Sequence, residues 1–328
     1  MNVKYFCVFT YVVSILIILV LLSFVDIHAA LSVILNADAV LVVFSFVLAG
    51  FVLFLKAFRW HMILLDGGHR TCPSFSCVSV FAGMYMSLLT PGRVGEPVRA
   101  YFLKKLSGER MSGTVPLVIV ERLVDVLFLV LVSLAGVVIF RSELGIGNIQ
   151  FFEIFAFSAF VVFAGYFVFV DRRVVSMAIK KLKGVSCLKI DADIFNAAIA
   201  QVRRRFFLFK LVVISFVVWF FEGVLLYISM MSIGVVLSPL FCFFVVSISF
   251  LAGVVTFLPG GLGSLEATVV FFVSMVAGNV NDVAGGVIVY RALSYAALFI
   301  FGVASVWFIN QNAIGMREVS CNVKENSR

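Results

Sequence analysis

Charged residues are scarce in this chain: they make up 13% of its 328 residues, whereas 63% of the residues are hydrophobic and the mean hydropathy is +1.18. A soluble domain contains about 25% charged and about 45–50% apolar residues. This composition excludes an ordinary soluble domain. Because apolar runs long enough to cross a bilayer recur along the chain, it predicts an all-α polytopic integral membrane protein built as a helical bundle.

The chain also lacks a polar stretch long enough to form a separate soluble domain. The longest, about residues 171–210, holds ten Lys or Arg against three Asp and is predicted to be one basic cytoplasmic loop. We expect a single transmembrane domain over 1–310 and a short polar cytoplasmic tail over 311–328. The net charge of +8 is then explained by loops on the cytoplasmic side, so no nucleic-acid partner is expected.

Motifs for metal binding, disulfides and common enzyme chemistry are missing as well. The six cysteines include no C-x-x-C pair, and none of the three histidines stands at metal-ligand spacing. No G-x-x-x-x-G-K-[ST] and no G-x-S-x-G occurs, which argues against an ATPase and a serine hydrolase. We therefore expect no metal, no cofactor, no structural disulfide and no enzymatic activity.

Six full spans are predicted from apolar runs of about 20 residues, and they cover about 6–25, 39–57, 114–140, 151–170, 211–230 and 283–309. The first run is longer than the apolar part of a usual signal peptide, and no convincing small-x-small cleavage site follows it. We expect it to be an uncleaved span. The distribution of Lys and Arg predicts a multi-pass protein of the cell membrane with both termini in the cytoplasm.

Two proline–glycine segments interrupt apolar stretches: Pro91-Gly92-Arg93-Val94-Gly95-Glu96 and Pro259-Gly260-Gly261-Leu262-Gly263-Ser264-Leu265-Glu266. Proline removes a backbone donor and glycine favours non-helical angles, so both segments are predicted to unwind. Unwound backbone at membrane depth is tolerated where protein buries it or where it lines a polar cavity. Each segment is therefore predicted to join two short arms into a broken, re-entrant pair.

The two broken pairs predict an inverted repeat, with halves of about 39–140 and 211–309. The first pair is predicted to enter and leave on the inside, and the second on the outside, as inverted repeats of transporters require. Spacing supports the repeat, because Arg122 follows Pro91 by 31 residues and Arg291 follows Pro259 by 32.

Several charged residues fall inside the predicted spans, where a charge costs a few kcal/mol. Glu121 and Asp125 stand four residues apart on one helix face, beside Arg122. They form either a buried ion pair that locks helices together or a site in which Arg122 holds an anionic group. Arg291 needs a partner, which is either Glu266 or a phosphate.

The glycines of the two breaks also predict an anion site. They leave backbone N–H groups unpaired, and a helix that restarts after each break presents its positive end. The alternative is that each Pro-Gly turns the chain at the interface. Glu222, alone in its span, is a weaker candidate, because a position near the membrane edge would also accommodate its charge. The candidate substrate-binding residues are Pro91, Gly92, Arg93, Gly95, Glu96, Arg99, Glu121, Arg122, Asp125, Pro259, Gly260, Gly261, Gly263, Glu266 and Arg291.

Four motifs in order resemble a known family: Ala57–Trp60, Leu88–Arg99, Glu121–Asp125 and Phe257–Glu266. They resemble the flippase-like transmembrane region of lysylphosphatidylglycerol synthases and its stand-alone relatives. The resemblance implies movement of a lipid between leaflets, either an aminoacylated phospholipid or a polyprenyl-linked or other lipid. The synthases' cytosolic aminoacyltransferase domain and the glycosyltransferase domain of some archaeal relatives are not expected in this chain.

Residues and resemblance together predict translocation of an anionic or zwitterionic lipid, or of a lipid-linked intermediate, between leaflets. The expected partners are membrane lipids and a biosynthetic enzyme. One alternative is a secondary transporter of a small anion. Another is a membrane-embedded lipid-modifying enzyme, or a non-transporting partner of a lipid or glycan biosynthetic complex.

Overall fold

The computed structural model describes residues 32–88, 90, 96–145, 205–256 and 258–325, and every regular element in these ranges is helical. The predicted spans 6–25 and 151–170, most of the basic loop 171–210 and residues 91–95 of the first break lie outside the described residues. The described α-helices of ten or more residues are α1 Ala39–Asp66, α2 Pro73–Leu88, α3 Val98–Ser107, α4 Met111–Ile139, α5 Arg205–Met231, α6 Pro239–Val255, α7 Ser264–Ala277 and α8 Val280–Glu325.

Five helical segments of the described ranges are long and apolar enough to cross a membrane: α1, α4, Phe207–Met231 of α5, Pro259–Ala277, and Val280–Gln311 of α8. Four of them correspond to predicted full spans, and Pro259–Ala277 is the second arm of the later broken pair. Helices α2 and α6 are apolar but shorter. The all-helical, multi-pass prediction is confirmed. The total of six full spans stays a prediction, because two of the six segments lie outside the described residues.

Helix α1 continues well beyond the predicted end of its span near residue 57. It begins where the carboxylate of Asp38 accepts hydrogen bonds from the N–H groups of Val40, at 2.8 Å, and Leu41, at 3.3 Å. A basic and aromatic border at the end of an apolar run is typical of the cytoplasmic interface, and the sequence predicts such a border at Lys56, Arg59, Trp60 and His61. The helix runs on to Asp66, so these four residues lie inside it. The last turns of α1 are therefore available to the core of the bundle.

The second Pro-Gly segment is unwound, as predicted. Pro259–Gly261 form one short 3-10 turn, and Gly260 has φ 60°, a left-handed conformation that favours glycine. Helix α7 restarts at Ser264 after Gly263. On either side of the first break, α2 ends at Leu88 and α3 begins at Val98.

The described helices follow one order twice. Helices α1–α4 comprise a long helix, a shorter helix, a break, a short helix and a second long helix. Helices α5–α8 have the same order. Helix α1 packs against α5, while α2 packs against α8 and α6 packs against α4. The ends of the two broken segments therefore lie inside a bundle to which both sets of four helices contribute.

Candidate functional site

The centre of the site is a buried ion cluster formed by Arg59 of α1 with Glu121 and Asp125 of α4. Arg59 donates to Oε1 of Glu121 at 2.5 Å and to Oδ1 of Asp125 at 2.7 Å. Oδ1 of Asp125 also accepts from the hydroxyl of Ser215 and the indole N–H of Trp219, both at 3.2 Å and both on α5. The three charged side chains are at most 4% exposed, so the cluster joins α1, α4 and α5 in the interior of the bundle.

Arg99 of α3 completes the buried part of the cluster. Its guanidinium donates to Oε2 of Glu121 and lies 3.9 Å above the ring centroid of Trp60. Such stacking favours arginine over lysine at this position. Gly83 of α2 permits this approach, because a Cβ on Gly83 would lie 2.7 Å from Cβ of Arg99.

Arg122 is the most accessible cation of the cluster. Its side chain is 35% exposed, and its Nη atoms lie 3.0 Å from Glu96, 3.0 Å from Glu121 and 3.1 Å from Asp125. Glu96 stands at the end of the first break and is 7% exposed. Arg122 therefore connects the first break to the buried cluster.

A second ion group surrounds the later break. Arg291 of α8 donates to Oε1 of Glu266 at 2.6 Å, to the carbonyl oxygen of Gly260 at 3.5 Å and to the hydroxyl of Tyr295. Its guanidinium also lies 4.4 Å from the Tyr295 ring centroid. Glu266, one of the two partners that the sequence leaves open for Arg291, is in contact with it.

The hypothesis of free backbone donors at the later break is wrong for two of its glycines. The N–H of Gly263 donates to Oε2 of Glu266 at 2.7 Å, and the N–H of Gly261 donates to the carbonyl of Leu258 at 3.0 Å. Glu266 therefore caps the first turn of α7 with one oxygen while it pairs with Arg291 through the other. The positive end of that helix is already neutralised by protein.

A third group connects the first and fifth helices. Lys56 of α1 pairs with Oε2 of Glu222 at 2.7 Å, and the hydroxyl of Tyr290 donates to Oε1 at 3.3 Å. Glu222 is 6% exposed, so it lies inside the bundle. The reason is Lys56, which lies one helical turn before Arg59 and extends toward α5.

Two cavities run between these groups. The larger, about 80 Å³, is lined by Lys56, Glu96, Glu222, Arg291 and Tyr295, together with apolar side chains and serines. The smaller, about 30 Å³, is lined by the charged residues Lys56, Arg59, Glu96, Arg99, Glu121 and Arg122, with Trp219 and other side chains. Because both cavities share Lys56, Met84, Glu96 and Phe250 in their walls, they adjoin each other.

The charges of the three groups balance, since five cations face five carboxylates. The cations are Lys56, Arg59, Arg99, Arg122 and Arg291, and the carboxylates are Glu96, Glu121, Asp125, Glu222 and Glu266. We call this set the central network. Removing one member of a buried pair costs about 3–5 kcal/mol, because the other charge is left without a partner. A ligand that supplies the missing charge can therefore exchange for a member of the network.

Most of the described candidate residues meet at this network. Glu96, Arg99, Glu121, Arg122, Asp125, Gly260, Gly263, Glu266 and Arg291 take part in its contacts. Pro259 and Gly261 are buried in the turn beside it, and Pro91, Gly92, Arg93 and Gly95 lie outside the described residues. Five further residues take part in these contacts but were not among the candidates from the sequence: Lys56, Arg59, Glu222, Tyr290 and Tyr295. A helical spacing signal was present for Lys56, Arg59 and Trp60, which stand at i, i+3 and i+4.

Apolar helices long enough to cross a bilayer, held together by buried ion pairs, define this chain as a polytopic membrane protein with a charged interior. The chain belongs to the family described as the lysylphosphatidylglycerol synthase TM region, which matches residues 8–302. The resemblance predicted from the four motifs is thereby confirmed.

Curated relatives agree with this assignment. A UPF0104 membrane protein of Methanocaldococcus jannaschii is 24% identical over 70% of this chain and 97% of its own length. A UPF0104 membrane protein of Methanothermobacter thermautotrophicus is 26% identical over 83% of this chain and 86% of its own length. The glycosyltransferase AglD of Haloferax volcanii is 23% identical over 92% of this chain, which covers 54% of AglD.

Proposed function

We propose that this protein moves the headgroup of an anionic or zwitterionic lipid, or of a lipid-linked intermediate, between the leaflets of the cell membrane. The observation that carries the proposal is the central network, in which five ion-paired cations surround two adjoining cavities inside an apolar bundle. Charges at membrane depth are costly, and they are characteristic of pathways for substrates and ions.

The headgroup enters by exchanging with a carboxylate of the network. Arginine holds a phosphate bidentately, so a lipid phosphate takes the place of Glu96 on Arg122 or of Glu266 on Arg291. Arg122 is the entry point, because its side chain is 35% exposed whereas that of Arg59 is 2% exposed. The acyl or prenyl chains stay in the bilayer, between the apolar outer faces of the helices.

The two sets of four helices are the repeats that alternate access requires. Each set has a break followed by a carboxylate that pairs with an arginine of its last helix: Glu96 with Arg122 at 3.0 Å, and Glu266 with Arg291 at 2.6 Å. This correspondence supports halves of about 39–140 and 211–309. In the proposal these halves have inverted orientation, and both termini lie in the cytoplasm. Motion of one set against the other then exposes the cavities to each leaflet in turn.

A lipid-linked glycan intermediate is the second candidate cargo. It is favoured by similarity to AglD, which is named a glycosyltransferase and matches 92% of this chain. In this version the protein works beside an enzyme of a lipid or glycan biosynthetic pathway. The headgroup phosphate occupies the same arginines, and the glycan extends from the cavity.

The experiment that tests the proposal compares lipids with soluble anions in proteoliposomes. The intact protein is reconstituted with acyl-chain-labelled lipids of different headgroups, and leaflet exchange is followed by quenching of the outer leaflet. Uptake of radiolabelled phosphate and glycerol 3-phosphate is measured in the same vesicles, with protein-free vesicles as control. Protein-dependent exchange without anion uptake supports lipid translocation, whereas anion uptake without exchange supports a small-anion transporter.

A further inference from the structure

Glu96 is the least satisfied carboxylate of the central network. Its Oε2 lies 3.0 Å from Nη1 of Arg122, the one ion-pair partner that the described residues give it. No group in the described part of the chain donates a hydrogen bond to this buried oxygen. By contrast, both oxygens of Glu121 and both of Asp125 accept hydrogen bonds.

Glu96 also occupies the position between the two cavities. It lines both of them and is 7% exposed. A buried acceptor without a donor is expensive, and most such oxygens in proteins are hydrogen-bonded. Because Glu96 lines both cavities and its Oε2 accepts no hydrogen bond, this oxygen is available to a donor that enters either cavity.

The charge balance of the network restricts what that donor is. A headgroup that carries only a phosphate charge would pair with Arg122 and displace Glu96, which then has no cation. The network would hold one excess negative charge in a medium of low dielectric constant, and an uncompensated buried charge is strongly unfavourable. A headgroup with a cation of its own leaves the network neutral.

We propose that the site selects a zwitterionic headgroup, whose phosphate pairs with Arg122 and whose primary ammonium donates to Glu96. An ammonium carries three donors and no acceptor, which suits a carboxylate oxygen that accepts no hydrogen bond from the described protein groups. The inference deepens the proposed function and rests on it for the claim that the cargo is a lipid. The same chemistry is offered by soluble phosphoethanolamine, so the two sources are tested separately.

The lipid arm measures exchange of acyl-chain-labelled phosphatidylethanolamine and phosphatidylglycerol in phosphatidylcholine proteoliposomes. The wild-type protein is expected to exchange phosphatidylethanolamine at least about tenfold faster, the factor that one hydrogen bond to a charged group supplies. Glu96→Gln is expected to abolish this preference, and Glu96→Asp to retain it. Glu109→Gln is the matched control, because Glu109 contacts His69 at 2.7 Å away from the network.

The binding arm measures thermal stabilisation of the detergent-solubilised protein by phosphoethanolamine and by glycerol 3-phosphate. The wild-type protein is expected to be stabilised more by phosphoethanolamine, and Glu96→Gln equally by both. If phosphoethanolamine is selected but no lipid is exchanged, the inference holds for a soluble zwitterion and the proposed function fails.

Equal exchange of the two lipids by the wild-type protein overturns the inference and leaves lipid translocation standing. A preference that survives in folded Glu96→Gln overturns it as well. Folding of each variant is checked by its size-exclusion profile. If Glu96→Gln does not fold, the inference is judged from the wild-type protein alone. Faster exchange of phosphatidylethanolamine than of phosphatidylglycerol then supports it, and equal exchange overturns it.

Discussion

The guanidinium of Arg59 bridges the two carboxylates that helix α4 carries four residues apart. It lies 2.5 Å from Glu121 and 2.7 Å from Asp125, and all three side chains are almost completely buried. Because Arg59 belongs to α1 and both acids belong to α4, this contact fixes the relative position of two helices. It also sets the geometry around which Arg99 and Arg122 are placed.

Arg59→Met is expected to destabilise the protein by about 3–5 kcal/mol, because two buried carboxylates lose their shared partner. The measurement is unfolding in detergent, followed by tryptophan fluorescence against denaturant. Lys210→Gln is the control, because Lys210 and Asp66 form a partly exposed ion pair 3.4 Å apart. Loss of such a pair is expected to lower the free energy of unfolding by about 0–1 kcal/mol. Equal losses in the two variants would contradict the structural role of Arg59.

Gly83→Ala is expected to weaken the contact between α2 and α3 by about 1–3 kcal/mol, because the new Cβ would lie 2.7 Å from Cβ of Arg99. The matched control is Gly50→Ala in helix α1, where the nearest atom, of Phe301, is at an ordinary 3.5 Å. Thermal unfolding in detergent measures the stability of both variants. The account is contradicted if Gly83→Ala is as stable as Gly50→Ala.

Glu266→Gln separates the two contacts of this side chain. The amide oxygen can still accept from Gly263, but Arg291 loses its carboxylate, so a loss of about 1–3 kcal/mol is expected. Glu266→Ala removes both contacts and is expected to cost more. Similar stability of the wild-type protein and both variants would show that neither contact contributes.

Cys72 offers a test of topology. Its thiol lies 3.2 Å from the hydroxyl of Ser74, and this hydrogen bond lowers the pKa of the Cys72 thiol. In a variant that keeps only Cys72, an impermeant maleimide is expected to label it in inverted vesicles but not in intact cells. Ser74→Ala raises the pKa, so the rise of labelling rate with pH is expected to shift to higher pH.

The control for labelling is a variant that keeps only Cys242, which is buried in α6 and is expected to stay unlabelled on both sides. Labelling of Cys72 in intact cells would place the loop before α2 outside. That result would contradict the predicted orientation of the termini.

The sequence predicted the parts of the site that local patterns encode. Glu121 and Asp125 share a face because they are four residues apart, and the glycines of Pro259–Gly261 predict an unwound turn. That the carboxylate of Glu266 contacts Arg291 needed the structure, because the two residues are 25 positions apart in the sequence.

The sequence alone predicts that Lys56 and Arg59 lie at the interface, because basic and aromatic residues at the end of an apolar run are typical of a membrane border. What overrides this tendency is not local. Glu222 lies 166 residues from Lys56, and Glu121 lies 62 residues from Arg59. Only the packing of α1 against α5 and α4 reveals that these charges have partners in the core.

The central claim is that a headgroup passes through the central network by pairing with two arginines. These are Arg122, which is partly exposed, and Arg291, which lies beside the second break. The most direct measurement is the rate of leaflet exchange in proteoliposomes for the wild type, Arg122→Gln and Arg291→Gln, with Lys210→Gln as control and size-exclusion profiles as a check of folding. Lipid exchange is predicted to fall at least about tenfold in both arginine variants, since each loses a hydrogen bond to a charged group. The Lys210→Gln variant is predicted to exchange lipid at the wild-type rate. Wild-type exchange by both folded arginine variants would contradict the central claim.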